Sequence, residues 1–193
     1  MVEVAAAAGH RVVAAARTKG STSAGVTPVA LDVRHAEAVR SAVVGADAVL
    51  WCVGVTRRSG AGVGRVGMSH VVSAAQELGV VRVVTVSGAG VTLPGDRKGL
   101  GARAASALTR RLASDLVTDK EAEHAVLVAS GLAWTEVRPP RLVDVDASRD
   151  WVLTEQAPGL TAKPVSRLDV ARAMVSLAGS SDWVQRSPFL VGR

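Results

Sequence analysis

The chain has 193 residues, a length that fits one domain with a core large enough to fold alone. Its net charge of +6 is scattered, with arginine doublets at Arg57-Arg58 and Arg110-Arg111, and it contains one phenylalanine and no tyrosine. It therefore lacks the basic helix and the stacking platform of a specific nucleic-acid binder. No apolar run approaches the roughly 18 residues of a membrane span, and the Ala/Val-rich start has no basic leader and reads as part of the fold. The one cysteine, Cys52, excludes an internal disulfide and fits a reducing cytoplasm.

Strand and helix patterns alternate along the chain. "MVEVAAAAGH" predicts a short helix stopped at Gly9, and "RVVAAAR" (11–17) a buried strand; together they read as the second half of a nucleotide-binding βαβ unit. "VALDV" (29–33) predicts a strand, residues 36–47 a helix closed by Gly45, and "AVLWCVG" (48–54) a strand ending in glycine. Trp51 and Cys52 read as core filling. A Gly/Arg/Ser loop leads to a helix over 67–79, stopped by Gly79, and then a strand over 80–88. Residues 101–130 hold one or two helices, divided around 113–115 and closed by Gly131. A strand over 133–141, with Trp134 packed where it begins, is cut off by Pro139 and Pro140. Residues 141–165 are irregular. A helix follows over 166–179, with Ser166 as N-cap and Asp169 at N3, and the chain closes on a short strand over 188–192.

Apolar strands each followed by an amphipathic helix imply a single α/β domain over 1–193, with a parallel sheet covered on both faces. Ligands of such sheets bind outside the carboxyl ends of the strands, here Arg17, Asp32, Gly54, Ser87 and Arg138–Leu142. Arg17, with Lys19 nearby, reads either as a solvated cation or as a partner for the 2′-phosphate of NADP. Asp32 reads as a helix N-cap or as an acid facing an adenine edge. Gly54 allows close backbone approach or simply makes a turn. Arg57 and Arg58 read as a solvated loop or as phosphate contacts. Ser87 either satisfies local backbone groups or hydrogen-bonds a nicotinamide amide or substrate carbonyl. Lys120, with Asp119, Glu123 and His124 on neighbouring helix faces, reads as a solvated face or as a proton donor. The other histidines lack metal-ligand spacing, and no metal site is expected.

The segments "AAAAGHRVVAAART", "GADAVLWCVG", "SHVVSAAQELGVVRVVTVSGAGV", "VTDKEAEHAVLVASGLAWTEVRPPRL" and "PVSRLDVARAMV" occur in the order expected of one family. The chain resembles the NAD(P)H-binding, NmrA-like atypical short-chain dehydrogenases, in particular the biliverdin reductase B (flavin reductase) type. The resemblance implies a Rossmann-like doubly wound parallel sheet. It implies NADP as cofactor, with NADPH preferred over NADH, and a flavin, quinone or similar small molecule as substrate. Arg17 would contact the 2′-phosphate, Asp32 and Val33 the adenine, and Gly54 the ribose. Ser87 and the turn Pro139, Pro140, Arg141 and Leu142 would border the nicotinamide, with Ser87 and Lys120 the candidate catalytic groups. The alternatives are a non-catalytic NADP-sensing regulator with a protein partner, and a remnant without cofactor binding.

Two departures from the family stand out. The chain has no tyrosine, so a Tyr-x-x-x-Lys acid/base pair cannot form and any proton must come from solvent or another group. The strand and G-x-x-G-x-x-G loop expected ahead of the first helix are also missing. In a 3-2-1-4-5-6 sheet that strand is central. Its loss, roughly 15 residues with the loop, predicts a vacancy between the strands at 11–17 and 48–54. The simplest expectation is a start placed too far downstream, or a truncation.

Overall fold

The computed structural model describes residues 1–20, 22–56, 59–145, 150–159 and 162–192. In chain order the elements are α1 (Val2–Ala7), β1 (Val12–Ala16), β2 (Val26–Ala30), α2 (Ala36–Val43), β3 (Ala48–Trp51), α3 (Val63–Leu78), β4 (Arg82–Val86), α4 (Leu100–Leu112) and α5 (Ser114–Ala129). β5 (Ala133–Val137), β6 (Leu142–Val143), β7 (Trp151–Thr154), β8 (Val165–Ser166), α6 (Arg167–Ala178) and β9 (Phe189–Gly192) complete the chain.

β3, β4 and β5 form a parallel sheet, with Val49 opposite Val83 and Val84 opposite Thr135. β1 and β2 form a separate parallel pair, with Val12 opposite Val26. β6 pairs with β8, and β7 runs antiparallel to β9. Side chains alternate across β4: Val83 enters a core with Met68, Ala75, Leu127 and Trp134, while Val84 enters a second core with Val137, Met174 and Leu190. α2, α3 and α5 pack in a row on the first face, and α6 packs on the second, with α1 against it. Two apolar faces need two helical layers, which is the expected doubly wound arrangement.

The structure corrects several expectations. The strand at 29–33 is really 26–30, so Asp32 lies beyond it. Gly25 turns the chain into it at φ +74°. Pro28 is tolerated because β2 is an edge strand, where a missing N–H breaks no ladder. α3 begins at Val63, before the expected 67, because a distant carboxylate caps it. The irregular stretch at 141–165 contains β6, β7 and the first residue of β8. β1 is not a buried strand: Val13 is 48% exposed, since no described strand flanks β1 on its β3 side. Cys52 is exposed rather than core, whereas Trp51 is buried. The expected Ser166 cap is present as a full capping box, with Asp169 N–H donating to Ser166 Oγ.

Gly67 lets α3 approach the sheet closely. A Cβ there would lie 2.6 Å from Trp51 Cη2 and 2.9 Å from Val33 Cβ. Gly67→Ala is therefore expected to destabilise the fold by about 1–3 kcal/mol through overpacking, despite its gain in helix propensity. Urea denaturation checks this; a neutral or stabilising effect contradicts the close approach.

Candidate functional site

The carboxyl ends of the parallel strands carry two groups of candidate residues. Arg17, Asp32, Val33 and Gly54 line one groove beside β1 and β3. Arg17 follows β1 directly, is exposed and makes no ion pair among the described residues. Asp32 neither caps α2 nor stands free. The N-cap is His35, with no side-chain cap bond, and Asp32 accepts hydrogen bonds from the Arg34 side chain and from the Arg34 backbone N–H. Those Arg34 bonds hold its carboxyl well below the usual range. Val33 packs on the first core, and its carbonyl lies 2.9 Å from His70 Nδ1. A Cβ on Gly54 would meet only Leu116 Cδ1, at 4.0 Å, so the backbone is open to approach there. Arg57 and Arg58 lie outside the described residues.

The second group surrounds Ser87, just past β4. Its N–H donates to Val137 O, and Ala89 N–H donates to Pro139 O, so the two chain segments run side by side. Pro139 is buried and Pro140 half-buried, while Arg141 and Leu142 are exposed. Ser87 Oγ is buried without a hydrogen-bond partner among the described residues. It therefore does not satisfy local backbone groups, the alternative role for a serine at a strand end. A buried hydroxyl left unpaired is costly unless something else supplies a partner.

Beneath both groups lies a buried polar cluster on α5. The expectation of a solvated helix face fails: Asp119 is 3% exposed, Lys120 5% and Glu123 1%. Asp119 accepts from Gly64 N–H and Arg65 N–H and so caps α3. Lys120 Nζ donates to Val53 O at 2.9 Å and to both Glu123 oxygens at 3.0 Å. Glu123 also accepts from Trp51 Nε1 and Thr85 Oγ1. Burial pushes the Glu123 carboxyl above its ordinary value, against the opposing pull of Lys120 and its other donors. His124 Nδ1 lies 2.6 Å from Glu136 Oε2, with its ring edge-on to Trp134. The cluster thus ties the end of β3, which leads to Gly54, to α5.

Sequence reasoning missed a third cluster. Arg138 grips Asp96 with Nη1 at 2.9 Å and Nη2 at 2.6 Å, and lies 3.9 Å above the Phe189 ring. Lys98 Nζ donates to Ala89 O, Val91 O, Thr92 Oγ1 and Ser106 Oγ. "GDRKG" (95–99) carries only the signal of an exposed turn. Folding buries the side chains of Asp96 and Lys98 against the end of β5 and pins the loop that leaves Ser87.

A model of the NAD(P)H-binding family matches residues 1–181. The chain belongs to this NAD(P)H-binding family. No curated protein matches it. Among solved structures, an oxidoreductase of Lactococcus lactis is similar at TM-score 0.75 and 19% identity, over 100% of this chain and 84% of that one. ChuY, an anaerobilin reductase of Escherichia coli, is similar at TM-score 0.71 and 19% identity, over 99% of this chain and 89% of that one. A short-chain dehydrogenase/reductase of Veillonella parvula in complex with NADP is similar at TM-score 0.69 and 20% identity, over 86% of this chain and 72% of that one. These likenesses establish the Rossmann-like fold.

A family cofactor fits the described residues at its two ends. Arg17 offers an unpaired cation for a 2′-phosphate and Ser87 an unpaired hydroxyl for a nicotinamide. The pyrophosphate of a dinucleotide rests on a glycine turn leading from a strand into a helix. No described strand leads into α1, whose N-cap is Met1. Among the described residues no group of His, Cys, Asp or Glu suits a metal ion, and no helix is long and apolar enough to cross a membrane.

Proposed function

We propose that this member of the NAD(P)H-binding family is an NADPH-dependent oxidoreductase that reduces a flavin, quinone or similar conjugated small molecule in the cytoplasm. The buried, partnerless Ser87 Oγ at the end of β4 is the observation that carries this reading, because it offers a hydrogen bond where a nicotinamide or substrate carbonyl would lie. When bound, the nicotinamide supplies a hydride. Pro139, Pro140, Arg141 and Leu142 border the same place, while Asp32, Val33 and Gly54 line the adenosine side. Lys120 acts from below by holding the Val53 carbonyl next to Gly54. With no tyrosine in the chain, the proton that balances hydride transfer comes from solvent. The reductase activity of ChuY and the NADP held by the Veillonella parvula protein support the class of reaction.

Arg17 sets the choice of NADPH. Arg17→Ala is expected to weaken NADPH binding by about tenfold to a hundredfold, the worth of one charge-assisted contact, and to leave NADH binding unchanged. Thermal shift or calorimetric titration with each nucleotide checks this; equal losses for both, or no loss, overturn the assignment. NADPH oxidation in the presence of FMN or a quinone tests the reaction itself.

A specific observation favours a second reading. Lys120 and His124, the acid/base candidates of α5, are both committed to buried carboxylates. Tight NADPH binding without turnover over a broad acceptor panel would make the chain an NADP-sensing regulator with a protein partner.

A further inference from the structure

α4 carries its leucines on the outside. Leu100, Leu108 and Leu112 are 84%, 57% and 76% exposed. Spacing in multiples of four places them with Ala104 on one stripe about 18 Å long, and the exposed Ala107 adjoins it. The inner face of α4 already has its partners. Ser106 is buried and accepts from Lys98 Nζ, and Thr109 lies so near Gly90 that a Cβ there would meet its Oγ1 at 2.8 Å. A surface helix ordinarily turns its large apolar side chains to the core. Here they face away from it. Leu116, just past the break between α4 and α5, is exposed as well, and its Cδ1 lies 4.0 Å from where a Gly54 Cβ would be.

The charge along this surface has one sign. Arg103, Arg110 and Arg111 are exposed, and α4 contains no acid. Arg110 pairs with Glu121 of α5, whereas Arg103 and Arg111 make no ion pair among the described residues. Arg97 is exposed just ahead of α4, and Asp115 is the one acid between residues 97 and 118.

We propose that α4 docks this protein on the surface of an anionic phospholipid bilayer, with its leucines at the acyl boundary and its arginines among the headgroups. Charge complementarity carries the choice of occupant. A helix with leucine on one face and arginine at its flank lies in such an interface with its apolar face buried by about 5–10 Å. Long arginine side chains reach back from there to the headgroups. A second copy fits less well, because a two-fold contact of α4 on α4 brings the unpaired Arg103 and Arg111 of both copies together. A protein partner also fits less well. Only alanines separate the leucines, and α4 has no aromatic or methionine side chain to anchor an interface. Docking also bears on the source of the acceptor. The loop that leaves Ser87 touches the inner face of α4 and Leu116 borders Gly54, so the carboxyl ends of the strands lie beside the docked surface. Resting on the reductase reading above, this favours a quinone dissolved in the bilayer over a flavin dissolved in water.

The test is sedimentation of the protein with vesicles, without nucleotide. Vesicles of phosphatidylglycerol mixed with phosphatidylcholine are expected to carry it down, and vesicles of phosphatidylcholine alone are not. Leu108→Gln combined with Leu112→Gln should abolish binding, and both side chains are exposed enough to leave the core intact. Arg103→Gln and Arg111→Gln should each weaken binding about fivefold, the contribution of one basic residue near an anionic surface. Arg172→Gln, on the exposed side of α6 across the sheet from α5, should leave it unchanged. Equal losses at Arg172 and Arg111 would show attraction by the net charge of +6 alone and overturn the proposal. So would binding that survives the leucine pair, no binding to either vesicle, or a dimer in solution that the leucine pair dissociates. Because no nucleotide is present, failure here is distinct from failure of the NADPH reading.

Discussion

Asp96→Ala is expected to lower the stability of the fold by about 3–5 kcal/mol, the cost of breaking a buried ion pair from one side. The reason is the surroundings of the carboxylate. Its side chain is 7% exposed, and those of Arg138 and Lys98 are each 3% exposed. Removing the anion leaves two buried cations, of which the Arg138 guanidinium keeps, among the described residues, Ser187 O and the Phe189 ring. It also frees Leu93 N–H and loosens the loop after Ser87. Burial pushes the Asp96 carboxyl up, but the Arg138 fork and the Leu93 N–H outweigh it, so its folded value lies below the ordinary 3.8. The stabilisation is therefore complete above pH 3.8 and is lost as pH falls through the lower folded value. Denaturation at about pH 7 and about pH 3 checks both the size and the direction. A gap between the two proteins that widens in acid, or a change below about 1 kcal/mol at neutral pH, contradicts the cluster.

The second large effect is at Lys120. Lys120→Met strands the Glu123 carboxylate, and we expect a loss of about 3–5 kcal/mol at neutral pH. Lys120→Met combined with Glu123→Gln should recover much of it, because a neutral amide needs no counter-ion and Trp51 and Thr85 remain beside it. The pH dependence runs opposite to that of Asp96. Burial raises the folded Glu123 value above 4.5, so its contribution is fully present below pH 4.5 and is lost as pH rises through the folded value. The Lys120→Met protein, with only the Trp51 and Thr85 bonds to offset that burial, should be most stable in mild acid. Losses that simply add in the double variant would show that Lys120 and Glu123 do not act as a unit.

The two clusters differ in how far the sequence reveals them. "TDKEAEHAVL" shows charges at helical spacing, yet nothing local distinguishes a solvated face from a buried one. Three distant segments make the difference: Gly64 and Arg65 offer their N–H groups to Asp119, Val53 offers its carbonyl to Lys120, and Trp51 and Thr85 donate to Glu123. The same α3 cap moved the start of that helix ahead of its apolar pattern. Asp96 and Lys98, and the pairing that ties Arg138 to them, were illegible for the same reason, since the partners of Arg138 lie 42 and 49 residues away.

What short-range physics controls is legible in the residues alone. Alternating apolar strands and helices established the α/β class. Gly45, Gly79 and Gly131 marked helix ends, each with positive φ, and Ser166 with Asp169 marked the start of α6. Arg17, Gly54 and Ser87 could be placed at strand ends because parallel strands all end on one side of the sheet. Which charges are buried, that Ser87 Oγ lacks a partner among the described residues, and that a groove lies between β1 and β3 emerge only once the chain is folded. Burial and pairing depend on segments far apart in the chain, and no local pattern encodes which distant group will supply the missing hydrogen bond.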